Sequence, residues 1–283
     1  MKVLVAVDKS EASQVALQYT CHLLEHFDAK VVDALYVKPD EADLGPETLY
    51  MPFVAKDQVK AWIEAEADAV GEQVLSSCNV CETGKVPCWP RIATGEPADE
   101  ILHIANSEGY DMIVLGAHGR SSLRGFVLGT VHAKILHHAC QPVLIVRNYR
   151  PINRVLVAYR GSECDQGALE FIAGLLAKKK PQITVMHVQE NVRAESDGVA
   201  KSCLYKGEQT LRKLDHVPVA KSTKGDFVDE ILKEVATERY DLIVLGAYSH
   251  QPPKHLKLIS DEALNIARLT TRPILVYRDK TTP

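Results

Sequence analysis

A chain of 283 residues with 46% hydrophobic and 25% charged residues has the composition of a globular protein and the length of two domains. Its net charge of −4 excludes a general attraction to nucleic acid or anionic membranes, and apolar runs such as Val3–Val7 are too short to span a bilayer. Asp8, Lys9 and Glu11 interrupt the first apolar run, so we expect no signal peptide, and seven scattered cysteines favour a reducing cytoplasm. We therefore expect a cytoplasmic protein with no nucleic-acid and no membrane partner.

The first half of the chain alternates between strands and helices. We predict strands over 2–7, 30–37, 86–93, 111–116 and 142–147, and helices over 11–27, 57–78, 97–108 and 130–139. Strands such as VLVAV and MIVLG are continuously apolar, which indicates that helices cover both of their faces. Pro97 fits the first turn of its helix, and the acidic residues beside it favour the positive end of the dipole. This alternation predicts a parallel, doubly wound sheet.

The second half repeats the first in the same order. Three pairs of segments match, 2–11 with 154–163, 95–117 with 225–247, and 141–147 with 272–278. The middle pair is identical at thirteen of 23 positions, which indicates a tandem duplication. We predict two domains, residues 1–148 and 153–283, each with a mainly parallel five-stranded sheet. Pro151 marks the linker between them.

The segment LGAHGRSSLRGFVLGTVHAKIL leaves the fourth strand of the first half and enters its last helix. Gly116, Gly119, Gly129 and Thr130 follow the spacing G-x2-G-x9-G-T, which is rarer than a chance pair of glycines. Glycines let the backbone approach a ligand, and the first N–H groups of a helix attract an anion. The alternative is a pair of turn glycines before an ordinary helix start. The position after a buried strand favours a nucleotide-binding loop.

Two more residues end strands that we expect to be neighbours of that loop. Asp8 follows the first strand and could hold Mg²⁺ on a phosphate or accept a hydrogen bond from a ribose hydroxyl. The alternative for Asp8 is to cap the helix that starts near Ser10. Val37 ends the second strand, and its backbone N–H and C=O could meet a base edge, although the sequence alone equally fits a core valine.

With these motifs, the chain resembles the universal stress protein family in a tandem form with two such domains. The resemblance covers both halves nearly end to end. It implies an adenine nucleotide alpha hydrolase-like fold with the two domains packed as a pseudo-dimer. It also implies a cytoplasmic stress-response or regulatory protein that binds ATP, ADP or AMP with Mg²⁺, and it allows a homodimer of chains.

The resemblance also assigns roles to residues of the first half. It implies that Asp8 lies near the ribose and phosphates, and that Val37 contacts adenine through its backbone. Ala6 and Val7 would line the same crevice. The ribose and phosphate chain would be wrapped by Gly116, His118, Gly119, Gly129, Thr130 and Val131. His132 stands where a small hydroxyl residue is often found.

The second half has lost this signature. Arg160 stands where Asp8 stands, and Tyr248-Ser249 replaces His118-Gly119. We expect the second domain to be a pseudo-dimer partner, with a degenerate ligand site as the alternative.

Efficient catalysis is not indicated, because the chain has no G-x4-G-K-[ST] loop and no obvious base for water. At most we expect slow ATP hydrolysis. Two alternatives stay open at this point. One is a nucleotide-using adenylyl- or phosphotransferase that relies on His118 and His132. The other is a module for a non-nucleotide ligand.

Cys78, Cys81 and Cys88 form a C-x2-C-x6-C pattern. A structural zinc usually takes four nitrogen or sulfur ligands, and no histidine follows at the spacing of a zinc finger. Cys78 and Cys81 straddle a predicted helix end, so we interpret them as loop thiols, with a redox-sensing pair as the alternative.

Overall fold

The computed structural model describes residues 1–27, 30–38, 61, 64–65, 68–73, 86–117, 129–190, 196–247 and 261–278. These residues form an α/β protein, as the sequence predicts. They divide into two compact units, Met1–Gly116 and Ala117–Pro283.

The first unit contains four parallel strands and the helices between them. Its strands are β1 (Lys2–Val7), β2 (Val31–Lys38), β3 (Cys88–Thr94) and β4 (Met112–Gly116), and its helices include α1 (Glu11–Leu24) and α2 (Pro97–Ser107). The strand order is β3-β2-β1-β4, so β1 lies between β2 and β4. Described positions within the predicted second helix, among them 68–73, are also helical.

Apolar sequence and capping residues explain these elements. Val3, Leu4 and Val5 are completely buried, as expected for a strand with helices on both faces. Helix α1 begins after Ser10, whose side chain accepts a hydrogen bond from the N–H of Ser13. Helix α2 begins with Pro97 in its first turn, and the carboxylate of Glu96 caps it. The Pro97 signal for the start of α2 is therefore confirmed, whereas the N-cap of α1 is Ser10 rather than Asp8.

The second unit contains the rest of the chain. Its elements are α3 (Thr130–His138), β5 (Val143–Val146), β6 (Arg154–Ala158), α4 (Glu163–Leu175), β7 (Gln182–Glu190), α5 (Asp197–Lys213), β8 (Pro218–Gly225), α6 (Phe227–Thr237), β9 (Leu242–Gly246), α7 (Asp261–Leu269) and β10 (Ile274–Tyr277). Its strand order is β5-β10-β9-β6-β7-β8. The strands run parallel except that β5 and β10 pair antiparallel, with Leu144 opposite Leu275.

The antiparallel pair joins the two sequence repeats within this unit. Helix α3 and strand β5 belong to the first repeat by sequence, yet they pack with the second repeat. The compact units therefore divide after β4, whereas the sequence repeats divide near Pro151. Two equivalent strands, one from each repeat, meet at β5 and β10, which is the arrangement expected of a pseudo-dimer.

Each repeat buries a tyrosine whose hydroxyl donates to a buried carboxylate. In the first unit Tyr110 donates to Asp33, and Arg91 donates to the Tyr110 oxygen over 2.8 Å. In the second unit Tyr240 donates to Glu234 over 2.8 Å, and burial raises the pKa of Tyr240 to about 12. The position of the tyrosine is repeated, whereas the carboxylate comes from β2 in one repeat and from α6 in the other.

We predict that Tyr110→Phe and Tyr240→Phe each lower the free energy of unfolding by about 1–3 kcal/mol, because a buried carboxylate loses a donor. Urea denaturation at pH 7 measures this loss. Tyr205→Phe is the matched control, since that side chain is 63% exposed. Equal stability of Tyr110→Phe and the control would contradict the structural role of the first of these bonds, and the same comparison tests Tyr240.

Candidate functional site

The turn between β1 and α1 organises Asp8 at the carboxyl edge of the first unit's sheet. The Asp8 carboxylate accepts hydrogen bonds from the Ser10 N–H over 2.9 Å and from the Ser10 hydroxyl over 2.5 Å. The buried Ser13 hydroxyl donates to the Asp8 carbonyl over 2.8 Å. The N-cap of α1 is thus Ser10, and Asp8 orients it. Both bonds to the Asp8 carboxylate go to Oδ1, and the side chain is exposed to solvent.

Val37 lies one step beyond the last residue pair between β1 and β2, which is Val7 with Tyr36. The peptide groups of alternate residues in β2 face alternate neighbours, and the N–H of Val31 donates to the Met1 carbonyl on the β1 side. By this alternation the Val37 carbonyl also faces the β1 side, where β1 has already ended. The Val37 side chain is buried, so only its backbone is suited to meet a ligand.

Gly116 ends β4 beside the start of α1. A Cβ at this position would collide with the carbonyl of Ala12 and would lie 2.7 Å from the nitrogen of Ser13. The same holds at Gly246 in the second repeat, where a Cβ would collide with the Asp165 carboxylate. Glycine is therefore required in both repeats by close packing between the strand end and the first helix turn of the same repeat, independently of any ligand. The second repeat keeps this glycine although it has lost the rest of the signature, and this retention was the sequence signal for a packing role.

The structure brings several of the predicted residues to one edge. Because Ala6 pairs with Leu115, Val7 lies level with Gly116, and Asp8 lies level with Val37. His118 and Gly119 lie outside the described residues, and the remaining predicted contacts lie at the start of α3.

The amino end of helix α3 has no side-chain cap and is exposed to solvent. The N-cap residue is Gly129. Gly129 has a φ of −59° and a ψ of 162°, which any residue can adopt, and a Cβ there would meet only the Nδ1 of His132 at an ordinary 3.5 Å. Gly129 and Thr130 are exposed, and Val131 is half-buried. Neither backbone strain nor packing explains this glycine, in contrast to Gly116.

The equivalent helix of the second repeat, α7, is closed by an ion pair. Glu262 lies in its first turn, and the guanidinium of Arg160 donates to the Glu262 carboxylate over 2.6 Å. The Arg160 side chain is only 3% exposed and lies 4.3 Å from the ring of Phe227. A carboxylate in the first turn interacts favourably with the helix dipole. The second repeat therefore supplies its own anion and counter-ion at this helix start.

This ion pair refines the interpretation of the second half. The charge reversal at Arg160 was visible in the sequence, but its partner was missed. The signal was Glu262, which stands at the position of Val131 when the repeats are aligned on 141–147 and 272–278.

A groove of about 630 Å³ lies in the second unit. It is lined by Gln166, Glu170, Ser202, Tyr205, Lys206, Gln209, Thr210, Lys213 and Leu214. The Gln166 amide at its base already accepts from Tyr159 and donates to Glu170 and Thr210, each over 2.8 Å. The polar groups of Gln166 are thus satisfied by protein contacts, and the groove coincides with none of the predicted site residues.

The cysteines show one feature that the sequence did not indicate. Cys88 is the buried first residue of β3, within the strand predicted over 86–93, and Cys21 and Cys88 are both disulfide-bonded. The disulfide-bonded state differs from the thiols expected of a chain with scattered cysteines. Cys140, Cys164 and Cys203 are free. Cys78 and Cys81 lie outside the described residues.

In the described part of the chain, no three or more His, Cys, Asp or Glu side chains gather in a way that could hold a metal ion. Nor does any helix within the described ranges have the length and apolar character needed to cross a membrane.

We predict opposite stability effects for two glycine substitutions. Gly116→Ala should lower the free energy of unfolding by about 1–3 kcal/mol or more, because the new Cβ collides with the α1 backbone. Gly129→Ala should cost less than about 1 kcal/mol, since space is available and only a modest N-cap preference is lost. Urea denaturation of both variants checks this, and a larger loss for Gly129→Ala than for Gly116→Ala would contradict the assignment.

Comparison with known proteins gives the family. A family model described as the universal stress protein family matches residues 1–147 and again residues 151–278. Universal stress protein YxiE of Bacillus subtilis is 34% identical over 150 residues, which is 52% of this chain and 98% of that protein. A universal stress protein of Methanothermobacter thermautotrophicus is 31% identical over 137 residues, covering 46% of this chain and 85% of that protein.

A solved structure extends the likeness to both repeats at once. The universal stress protein from Archaeoglobus fulgidus superposes with a TM-score of 0.76 over 98% of each chain, at 19% identity, which shows a common fold. The double match of the family model, together with the repeated α/β architecture, shows that this chain belongs to the universal stress protein family and carries two copies of its domain.

Proposed function

We propose that the protein binds one adenine nucleotide, ATP, ADP or AMP, in its first repeat and acts as a cytoplasmic stress-response or regulatory binding protein. The observation that carries this proposal is the contrast between two equivalent helices. Helix α3 begins at an uncapped, exposed Gly129, whereas α7 begins beside the buried ion pair of Glu262 and Arg160. An open helix start can receive a phosphate, and a start that already has its own carboxylate cannot do so in the same way.

The chemistry of the α3 start suits a phosphate. The first N–H groups of the helix have no intrahelical partner, and the dipole places partial positive charge there. The helix has no acidic residue in its first turn to oppose an incoming anion. Gly129 leaves room for close approach of the ligand, and the Thr130 hydroxyl adds a donor. We propose Gly119, His118 and Val131 as further contacts on the basis of the family signature.

The edge of the first unit suits the nucleoside and a metal ion. The exposed Asp8 carboxylate offers the oxygen ligand that Mg²⁺ prefers, and Mg²⁺ usually takes one or two carboxylates plus phosphate oxygens and water. The same carboxylate can instead accept from a ribose hydroxyl. The Val37 carbonyl faces the end of β1 and can accept from the amino group of adenine. Ala6, Val7 and Gly116 lie at the same edge, and we propose that they line the crevice.

The mechanism proposed is one of binding and population shift. A nucleotide that binds one conformation better than another changes their ratio by its difference in affinity. The second repeat would support the first without a nucleotide of its own. The domain limits 1–148 and 153–283 remain a prediction from the repeats, and a homodimer of whole chains remains an expectation from the family.

We predict that Gly129→Val raises the dissociation constant for Mg-ATP at least about tenfold, because branched carbon atoms occupy the space for phosphate. Calorimetric titration of the nucleotide-stripped chain measures this, with urea denaturation to show that the variant is folded. Gly198→Val is the matched control, since Gly198 is also an exposed glycine in the first turn of a helix, in α5.

The control variant should bind Mg-ATP like the unaltered chain. Titration without Mg²⁺, repeated on Asp8→Asn, separates the metal role of Asp8 from its contact with ribose. If the unaltered chain does not bind Mg-ATP, or if Gly129→Val binds it equally well, the proposed site is wrong.

A further inference from the structure

Two arginines form a reciprocal contact between the repeats inside the second unit. Arg147 follows β5 and Arg278 follows β10, and they are the same position of the repeat. Because β5 and β10 pair antiparallel, the end of each strand lies beside the beginning of the other. Each arginine therefore emerges next to the other repeat's last helix.

Each arginine donates hydrogen bonds to the last helix of the other repeat. Arg278 donates through Nη2 to the carbonyls of Leu136 and, over 3.1 Å, His137, in the last turn of α3. Arg147 donates through Nη2 over 2.8 Å to the carbonyl of Ala267, which is the position in α7 equivalent to Leu136. Each repeat thus binds the carboxyl end of the other repeat's last helix.

These contacts give hydrogen-bond donors to backbone carbonyls that the helices cannot satisfy themselves. The last four carbonyls of a helix have no partner within it, and a cation is favoured at that end by the dipole. Arg278 is 5% exposed and Arg147 is 9% exposed, so both charges are buried and need polar partners. Burial accordingly lowers the pKa of Arg147 below its usual value.

Helices α3 and α7 differ at their amino ends. Helix α3 begins at Thr130, so its amino end, where we place the phosphate, lies only about 10 Å along the helix axis from the carbonyls of Leu136 and His137 that Arg278 contacts. Helix α7 has the same length but begins beside the pair of Glu262 and Arg160. Arg278 therefore holds the helix with the open start, and Arg147 holds the helix with the closed one.

We propose that Arg278 of the second repeat is a positioning residue for the nucleotide, acting through α3, and that this contact is how the second repeat supports binding by the first. The assignment rests on the proposed function, because it needs a phosphate at the start of α3. Arg147 is its structural equivalent without a ligand to position.

The test compares Arg278→Met with Arg147→Met in the full chain. Both variants lose a buried arginine at equivalent positions, so both should unfold at lower urea concentration. Hydrogen exchange should become faster in α3 for Arg278→Met and in α7 for Arg147→Met. The dissociation constant for Mg-ATP should rise about tenfold in Arg278→Met and change less than about twofold in Arg147→Met.

A lysine series covers the case in which a methionine variant does not fold. Lysine keeps the charge but lacks the planar fork that reaches two carbonyls. Arg278→Lys should weaken Mg-ATP binding more than Arg147→Lys, and equal binding by the two lysine variants would overturn the inference.

The outcomes separate the two proposals. No binding of Mg-ATP by the unaltered chain would overturn the proposed function and this inference with it. Normal binding by the unaltered chain with equal effects of the Arg278 and Arg147 variants would overturn the inference alone. Faster exchange in α3 with an unchanged dissociation constant would also overturn it, because the helix would then be held without any consequence for the nucleotide.

Discussion

The unpaired backbone groups at the ends of α3 and α7 are the constraint on which the organisation of this protein depends. The two helices are equivalent in sequence position and length, and each has four donors and four acceptors that the helix itself cannot satisfy. At the carboxyl ends of both helices, an arginine from the other repeat donates hydrogen bonds to carbonyls of the last turn. At the amino ends the two helices differ, and this difference separates a scaffold from a candidate binding site.

Duplication explains how the difference arises without loss of the fold. Gly116 and Gly246 are both retained, because a side chain at either position would collide with the start of the neighbouring helix. The residue at the equivalent position after the first strand differs between the repeats. It is the exposed Asp8 in the first repeat and the buried Arg160 in the second. Once Arg160 is present, Glu262 gives its buried charge a partner and gives α7 a carboxylate near its first N–H groups. The second repeat thus keeps the packing of a nucleotide-binding domain while its helix start is internally neutralised.

Much of the fold is predictable because strands buried on both faces leave a strong apolar pattern. β1 and β4 appear where VLVAV and MIVLG predict them, and the repeat makes each prediction twice. The helix start at Pro97 is likewise visible from the proline and the acidic residues beside it. The clustering of Val7, Asp8, Val37 and Gly116 follows from the order of parallel strands, so that edge of the candidate site was also within reach of the sequence.

Other features depend on contacts between segments distant in sequence. The exchange of Arg147 and Arg278 requires the antiparallel pairing of β5 with β10, which no local pattern indicates. The burial of Arg160 against Phe227 and Glu262 joins three separate elements, so no local sequence pattern indicates it. Asp8 was correctly placed at a strand end, but its role in orienting the N-cap Ser10 requires the actual turn. The disulfide-bonded state of Cys21 and Cys88 was equally hidden, because their spacing matches no recognised framework.

We propose that one repeat is open to a nucleotide and that the other is closed by its own ion pair. Native mass spectrometry of the full chain with saturating Mg-ATP distinguishes the two repeats, because it counts bound nucleotides per chain. We expect a single nucleotide on each chain. Two nucleotides per chain would show that Arg160 and Glu262 do not close the second repeat, and a nucleotide-free chain would contradict the open site at α3.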